Sequence, residues 1–332
     1  MTVVLGAADI AGLINGVDVV GAVEAIHSDL GTGAMQQPAP VALTGKDEAV
    51  FLPMAVRSDR LGLVAVKLMA DIPDNAARGL PSQRSTILVS SSLTGGCVAV
   101  LDGMAVTRAR TAATTVVATK HLARSGSRTL GILGAGNLAV EHARAFEAAR
   151  PFERIVVWSR SSDTVARFLD AVGPDIAGRC EVVHEVRRVV EASDVLCTLT
   201  PSVDPVVRGA WLQAGQHVNA VGARPRPTHR ELDGTAMARG TLFVDSRATA
   251  WTKSGDLLEA LVEGMLPQDL HPAELGEVIA GRAPGRTGDD EVTVFDSVGL
   301  GAQDLAVAAR VIEFARERGT GTAVALGTTQ AR

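Results

Sequence analysis

The chain has no tyrosine, only three cysteines, and only four lysines (Lys46, Lys67, Lys120 and Lys253) among its 32 basic residues. Each shortage narrows the chemistry. Without tyrosine, the tyrosine-dependent hydride transfer of short-chain dehydrogenases is excluded. Cys97, Cys180 and Cys197 form no CxxC pair and leave an odd count, so they read as reduced thiols in a cytoplasmic protein. The seven histidines never fall at i, i+4 or in a tight group, and no metal site is expected. No apolar stretch reaches the roughly 18 uninterrupted residues of a membrane span. The opening "MTVVLGAADIAGLING" has no basic leader and an early Asp9, unlike a signal peptide. A net charge of -5 and the lack of a lysine-rich run argue against nucleic acid or an anionic membrane as partner.

What is present suggests two domains. At 332 residues and 46% hydrophobic content the chain is long enough for two proper cores. "AADIAGLINGVDVVGAVEAIHSDL" reads as one or two helices, and the strands "AVFLPMAV", "LGLVAVKLM", "STILVSSS" and "CVAVLDG" follow, separated by turns. This is an α+β block with little room for parallel crossovers. A helical period then runs from Thr107 to about Arg124. From "RTLGILGAG" onward, strands alternate with helices of ten to fifteen residues, the signature of a doubly wound parallel (Rossmann) sheet. The closing amphipathic helix "AQDLAVAARVIEFARERG" is expected to return to the first block. The expected division is residues 1–110 with 304–332 as a discontinuous α+β domain, and 111–303 as the dinucleotide-binding domain.

"GILGAGNLAVEHA" sets Gly134, Gly136 and Ala139 in a G-x-G-x-x-A spacing between a strand and a helix. The first glycine permits the tight turn and the second lets backbone approach a pyrophosphate. The small third residue allows close helix–strand packing, with the helix N-terminus facing the phosphates. Gly134, Ala135, Gly136, Asn137 and Leu138 are therefore cofactor candidates. The next strand ends "VVWSRSS", so Ser159, Arg160 and Ser161 stand where an NAD enzyme places an acid for the ribose hydroxyl. An arginine flanked by hydroxyls suits a 2′-phosphate, and NADP(H) is the expected cofactor. Lys67, inside "LGLVAVKLMADIP", has two readings: a snorkelling surface side chain, or a buried amine whose pKa can shift to serve proton transfer.

The segments "KLMADIPDNAARGLP", "DGMAVTRARTAATTVVATKHLA", "HVNAVGARPRPTHRELD", "FVDSRATAWTKSGDL" and "VTVFDSVGLGAQD" give the chain a resemblance to the ornithine cyclodeaminase/μ-crystallin family over nearly its whole length. The resemblance implies a two-domain subunit whose non-nucleotide domain binds substrate and builds a homodimer. It also implies that Lys67 lies beside the substrate and that Arg110, in "RTAA", serves the substrate carboxylate and the cofactor phosphates. Thr111, Thr198, Val221, Ser297 and Gly299 complete the expected cofactor contacts. Two departures stand out. Cyclodeaminases carry an aspartate after the "NAVG" strand, whereas this chain continues Ala223-Arg224-Pro225-Arg226; Glu231, the next carboxylate, is too far along to substitute unless the loop folds back. Pro40 occupies the place of a carboxylate-gripping arginine, so that either Arg84, Arg224 or Arg226 takes over or the substrate lacks that carboxylate. The expected activity is NADPH-dependent reduction of a small cyclic imine or ketimine to an amine. The alternatives are an amino-acid dehydrogenase, a cyclodeaminase, or a non-catalytic NADPH-dependent binder.

Overall fold

The computed structural model describes residues 1–45 and 48–326; Lys46, Asp47 and residues 327–332 lie outside the described residues. The chain divides into two compact units, Met1–Arg110 with Leu300–Arg332, and Thr111–Gly299. The return crossing thus precedes the expected position 304, because Leu300 already serves as N-cap of the helix Gly301–Arg318.

In the first unit the strands are β1 (Thr2–Leu5), β2 (Met35–Gln36), β3 (Leu43–Thr44), β4 (Val50–Ser58), β5 (Leu63–Asp71), β6 (Gln83–Ser91) and β7 (Cys97–Asp102). The main path runs from a C-terminal strand, Thr322–Val324, through β1, β7, β6, β5 and β4 to β2, with β3 also paired to β4. The β4–β7 pairings are antiparallel, but β1 joins β7 in parallel, a crossover the sequence pattern did not suggest. Alternation along β4 and β5 gives the sheet an inner face of Leu52, Met54, Val56, Ala65, Ile87 and Val89, all buried. The apolar stripes of Val19–Thr32 and Gly301–Arg318 pack together, and the latter also packs on β4, β5 and β6. The outer face carries Val66, Leu68 and Leu88, all exposed.

The helix Gly103–Leu122 begins directly after β7 rather than at Thr107. Asp102 Oδ1 accepts from Met104 N at 3.0 Å and so satisfies an otherwise orphaned first-turn amide.

The second unit holds β8 (Thr129–Leu133), β9 (Arg154–Trp158), β10 (Cys180–Val182), β11 (Val195–Thr198), β12 (His217–Ala220), β13 (Thr241–Val244), β14 (Ala273–Glu274) and β15 (Thr293–Asp296). They lie in the order β10-β9-β8-β11-β12-β15-β13-β14, every pairing parallel. β11, β12 and β15 are buried along their whole length, as expected for a sheet covered on both faces. The order reverses between β8 and β11, so the crevice beyond their carboxyl ends is the topological switch point where such sheets bind ligands. Among the described residues no single helix is long and apolar enough to cross a membrane.

Candidate active site

In the first unit, Lys67 lies mid-strand on the inner face of β5, between Met54 and Ile87 in register, and is 2% exposed. It does not snorkel. Its Nζ donates to Asp304 Oδ1 at 2.9 Å and to Thr107 Oγ1 at 2.7 Å, while the Thr107 hydroxyl itself donates to Gly103 O. Burial pushes the Lys67 ammonium down from 10.5 to about 8; Asp304 opposes this and the Arg110 charge adds to it. Arg110 lies well inside its helix rather than at a helix start, and is also buried. Its Nε donates to Asp304 Oδ1 at 3.3 Å and its Nη1 to Gln303 Oε1 at 2.8 Å. Gln303 therefore turns its amide nitrogen toward His27 Nε2, 3.1 Å away. Burial, then the nearby Arg110, lowers the His27 pKa to about 4, so this imidazole is neutral and accepts at Nε2. Asp304 Oδ2 is buried with no hydrogen-bond partner among the described residues.

Asp304 and Gln303 were not singled out from sequence. The available signal was a polar pair in an otherwise small and apolar helix start, "GLGAQDLAVAA", where both side chains prove buried. Arg84 is a correction of the opposite kind. It pairs with Ala70 in register, whereas Lys67 pairs with Ile87, so Arg84 lies on the outer face of the sheet. Within one subunit it is on the wrong side to share a substrate with Lys67.

In the second unit nearly every cofactor candidate sits at a carboxyl strand end. The β8 turn supplies Gly134, Ala135 and Gly136, and the helix Asn137–Ala149 opens with Asn137 and Leu138. Gly134 has φ +97°, and a Cβ there would lie 2.6 Å from Leu199 O. A Cβ on Gly136 would meet nothing within 4 Å, and no side chain caps the first turn of the helix, where Ala139 N donates back to Gly136 O at 2.9 Å. These features fit a dinucleotide pyrophosphate. Ser159, Arg160 and Ser161 follow β9, with Arg160 exposed and Ser161 capping the helix Ser162–Val172 through Thr164 N. Thr198 ends β11, Val221 follows β12, and Ser297 and Gly299 follow β15. Asp245 Oδ2 accepts from Gly299 N at 2.7 Å, and Lys253 Nζ donates to Gly299 O at 3.2 Å, fixing that turn. Thr111 stands apart, buried within the helix Gly103–Leu122.

Glu231 decides between the two readings of the loop after β12. It is not remote: the chain folds back and buries its carboxylate at the ends of β11 and β12. Oε1 accepts from Thr200 N and Oγ1, both at 2.6 Å, and Oε2 accepts from Thr198 Oγ1 and Gly222 N, both at 2.7 Å. A carboxylate does occupy this strand end, held by four protein donors.

Residues 1–319 match the description "Ornithine cyclodeaminase/mu-crystallin family". The ketimine reductase mu-crystallin of Rattus norvegicus is 34% identical over 280 residues, covering 84% of this chain and 85% of the relative. The Δ1-pyrroline-2-carboxylate reductase of Thermococcus litoralis, solved with NADH and L-proline, superimposes with a TM-score of 0.91 at 31% identity. It covers 97% of this chain and 100% of that one. An archaeal alanine dehydrogenase dimer with bound NAD gives 0.90 at 29% identity, covering 98% and 99%. The fold, the switch-point rim and these likenesses agree, and the chain belongs to the ornithine cyclodeaminase/mu-crystallin family.

Proposed function

We propose that this protein reduces the C=N bond of a small cyclic imine or ketimine to an amine, with NADPH as reductant. The observation that carries the reading is the buried Lys67–Asp304–Arg110 cluster of the first unit. Reduction of C=N requires a hydride at carbon and a proton at nitrogen; the dihydronicotinamide, when bound, supplies the hydride. Lys67, with its pKa brought to about 8, holds a transferable proton near neutral pH. Asp304 Oδ1 orients that ammonium, and Oδ2, buried with no hydrogen-bond partner among the described residues, suits the N–H of a protonated imine or of the amine product. Gln303 and Asp304 hold the Arg110 guanidinium in place.

In the second unit, Gly134–Leu138 would hold the pyrophosphate, with Thr198, Val221, Ser297 and Gly299 along the same rim. NADPH over NADH is supported by Ser159-Arg160-Ser161, which offers a cation and hydroxyls where an acid would repel a 2′-phosphate. The cyclodeaminase alternative loses support because Glu231 spends its acceptor capacity on four protein donors. The working form is a homodimer through the outer face of the first unit's sheet, where Ala55, Val66, Leu88 and Val100 form one apolar row across four strands. The three free thiols suit a reducing cytoplasm.

Single-turnover mixing with NADPH and a panel of cyclic imines tests the reading. Consumption of NADPH matched by amine is the expected result. Tight NADPH binding with no turnover of any imine would make the protein a binder, and ammonia and proline from ornithine with NAD would make it a cyclodeaminase.

A further inference from the structure

Three strand-end segments of the second unit meet at one stretch of backbone, Leu199–Thr200. On one side is the Gly134 turn, where a Cβ would lie 2.6 Å from Leu199 O. On another is Gly222, where a Cβ would lie 2.3 Å from Thr200 N and 2.5 Å from Leu199 C. Two glycines are thus required by close approach to the same two residues, and side chains at either position would drive the segments apart. Leu199 N donates to Leu133 O at 2.7 Å, and the remainder of the stretch is held by Glu231, through the four donors from Thr198, Thr200 and Gly222.

We propose that Glu231 is a positioning residue for the cofactor rim: its carboxylate clamps Leu199–Thr200, and this backbone in turn seats the Gly134–Gly136 turn that receives the dinucleotide phosphates. The inference rests on the reading that this rim binds a dinucleotide. Glu231 is well anchored for the task. Its carbonyl accepts from Val206 N and Val207 N, and its own amide and that of Leu232 donate to Asp256 Oδ1 at 2.8 and 2.7 Å.

The chemistry of the clamp requires an ionised carboxylate. Two of the four donors are backbone N–H groups, Thr200 N and Gly222 N, one on each oxygen. A hydroxyl can rotate to accept instead of donate, but a backbone N–H cannot. Glutamine in either orientation therefore sets its NH₂ against one backbone N–H: against Thr200 N it removes that donor's acceptor, and against Gly222 N it opposes a donor left only with Thr198 O, at 3.0 Å. Protonation also weakens the clamp, because a neutral carboxyl accepts less strongly from both backbone N–H groups than a carboxylate does. Burial pushes the Glu231 carboxyl up to about 7, with Asp256 adding to the rise and the Thr200 and Thr198 bonds opposing it. The groups facing this region are Asp256 with Asp296 behind it, the Cys197 thiol on β11, and Arg230, whose guanidinium pairs with Glu263. The clamp is firm above about pH 7 and loosens below it.

The test is the dissociation constant of NADPH and of NADH, measured by titration across pH 7 for the parent, Glu231→Gln and Thr200→Val. The parent should bind more weakly as pH falls through about 7. Glu231→Gln should weaken binding roughly 10- to 100-fold above that pH, the scale of one buried donor left unsatisfied, and should flatten the pH profile. Thr200→Val, which keeps the N–H and loses one hydroxyl, should fall between the two. In turnover the cofactor KM should rise while kcat at saturation stays near the parent value. A pH-independent parent constant, or a Gln variant that loses Tm but binds as the parent does, overturns the proposal and leaves the dinucleotide reading standing. A folded parent that binds neither cofactor overturns both.

Discussion

At the scale of single residues, the chemistry turns on a lysine kept where a charge is costly. Lys67 is packed between Met54 and Ile87, and only Asp304 and Thr107 answer its ammonium in the bonds described above. A lysine with a lowered folded-state pKa loses its proton as pH rises through that value. Imine reduction, which needs the protonated form, should therefore fall off above about pH 8. Asp304→Asn removes the charge that raises this pKa, so the falling limb should move to lower pH. Lys67→Met should lower kcat/KM by about 10²–10⁴-fold, the usual size of a general-acid contribution, without changing NADPH affinity. Profiles of kcat/KM against pH for the parent and both variants check this, and a Met variant near the parent rate would make Lys67 a structural residue.

At the scale of elements, period and turn chemistry were legible while contacts were not. The strand–turn–helix around Gly134 is written in consecutive residues and could be read directly. The start of Gly103–Leu122 was displaced because the cap is a side chain of the preceding strand, Asp102, which periodicity does not register. The loop 222–231 stayed open in the sequence because distance along the chain does not give distance in space; the hydrogen bonds to Val206 N, Val207 N and the Asp256 carboxylate bring Glu231 back. The end of β9 also yields a test of cofactor choice. NADPH should bind more tightly than NADH, and Arg160→Ala should narrow the gap by roughly 1.5–3 kcal/mol, the worth of a charge-assisted hydrogen bond. Equal dissociation constants for the two cofactors in the parent would remove the basis for NADP.

At the scale of the whole molecule, the first unit's sheet explains why its strands read as apolar on both faces. Inner residues such as Leu52, Ile87 and Val89 are buried within the subunit, while Val66, Leu68 and Leu88 remain between 38% and 46% exposed on the other side. An exposed apolar row across adjacent strands is the kind of surface that the proposed homodimer would cover. Light scattering should report a dimer for the parent and a monomer for Val66→Glu, which sets a charge in that row while leaving the inner face untouched. A monomeric parent would assign the row to something other than a second copy.

The amino-acid sequence by itself determined the alternation of strands and helices, the glycine-rich turn in its strand–helix setting, and Lys67 as the anomaly worth explaining. Each of these depends on residues close together in the chain, where period and turn chemistry act. Tertiary structure alone decided which groups answer that lysine. Asp304 lies 237 residues from Lys67 and 194 from Arg110, and no local pattern links them. It also decided that Arg84 faces away, since a strand's two faces alternate residue by residue and only the register with β5 says which is which. Glu231 belongs to the same class: its role comes from four donors gathered at strand ends, and hydrogen bonds are made between neighbours in space.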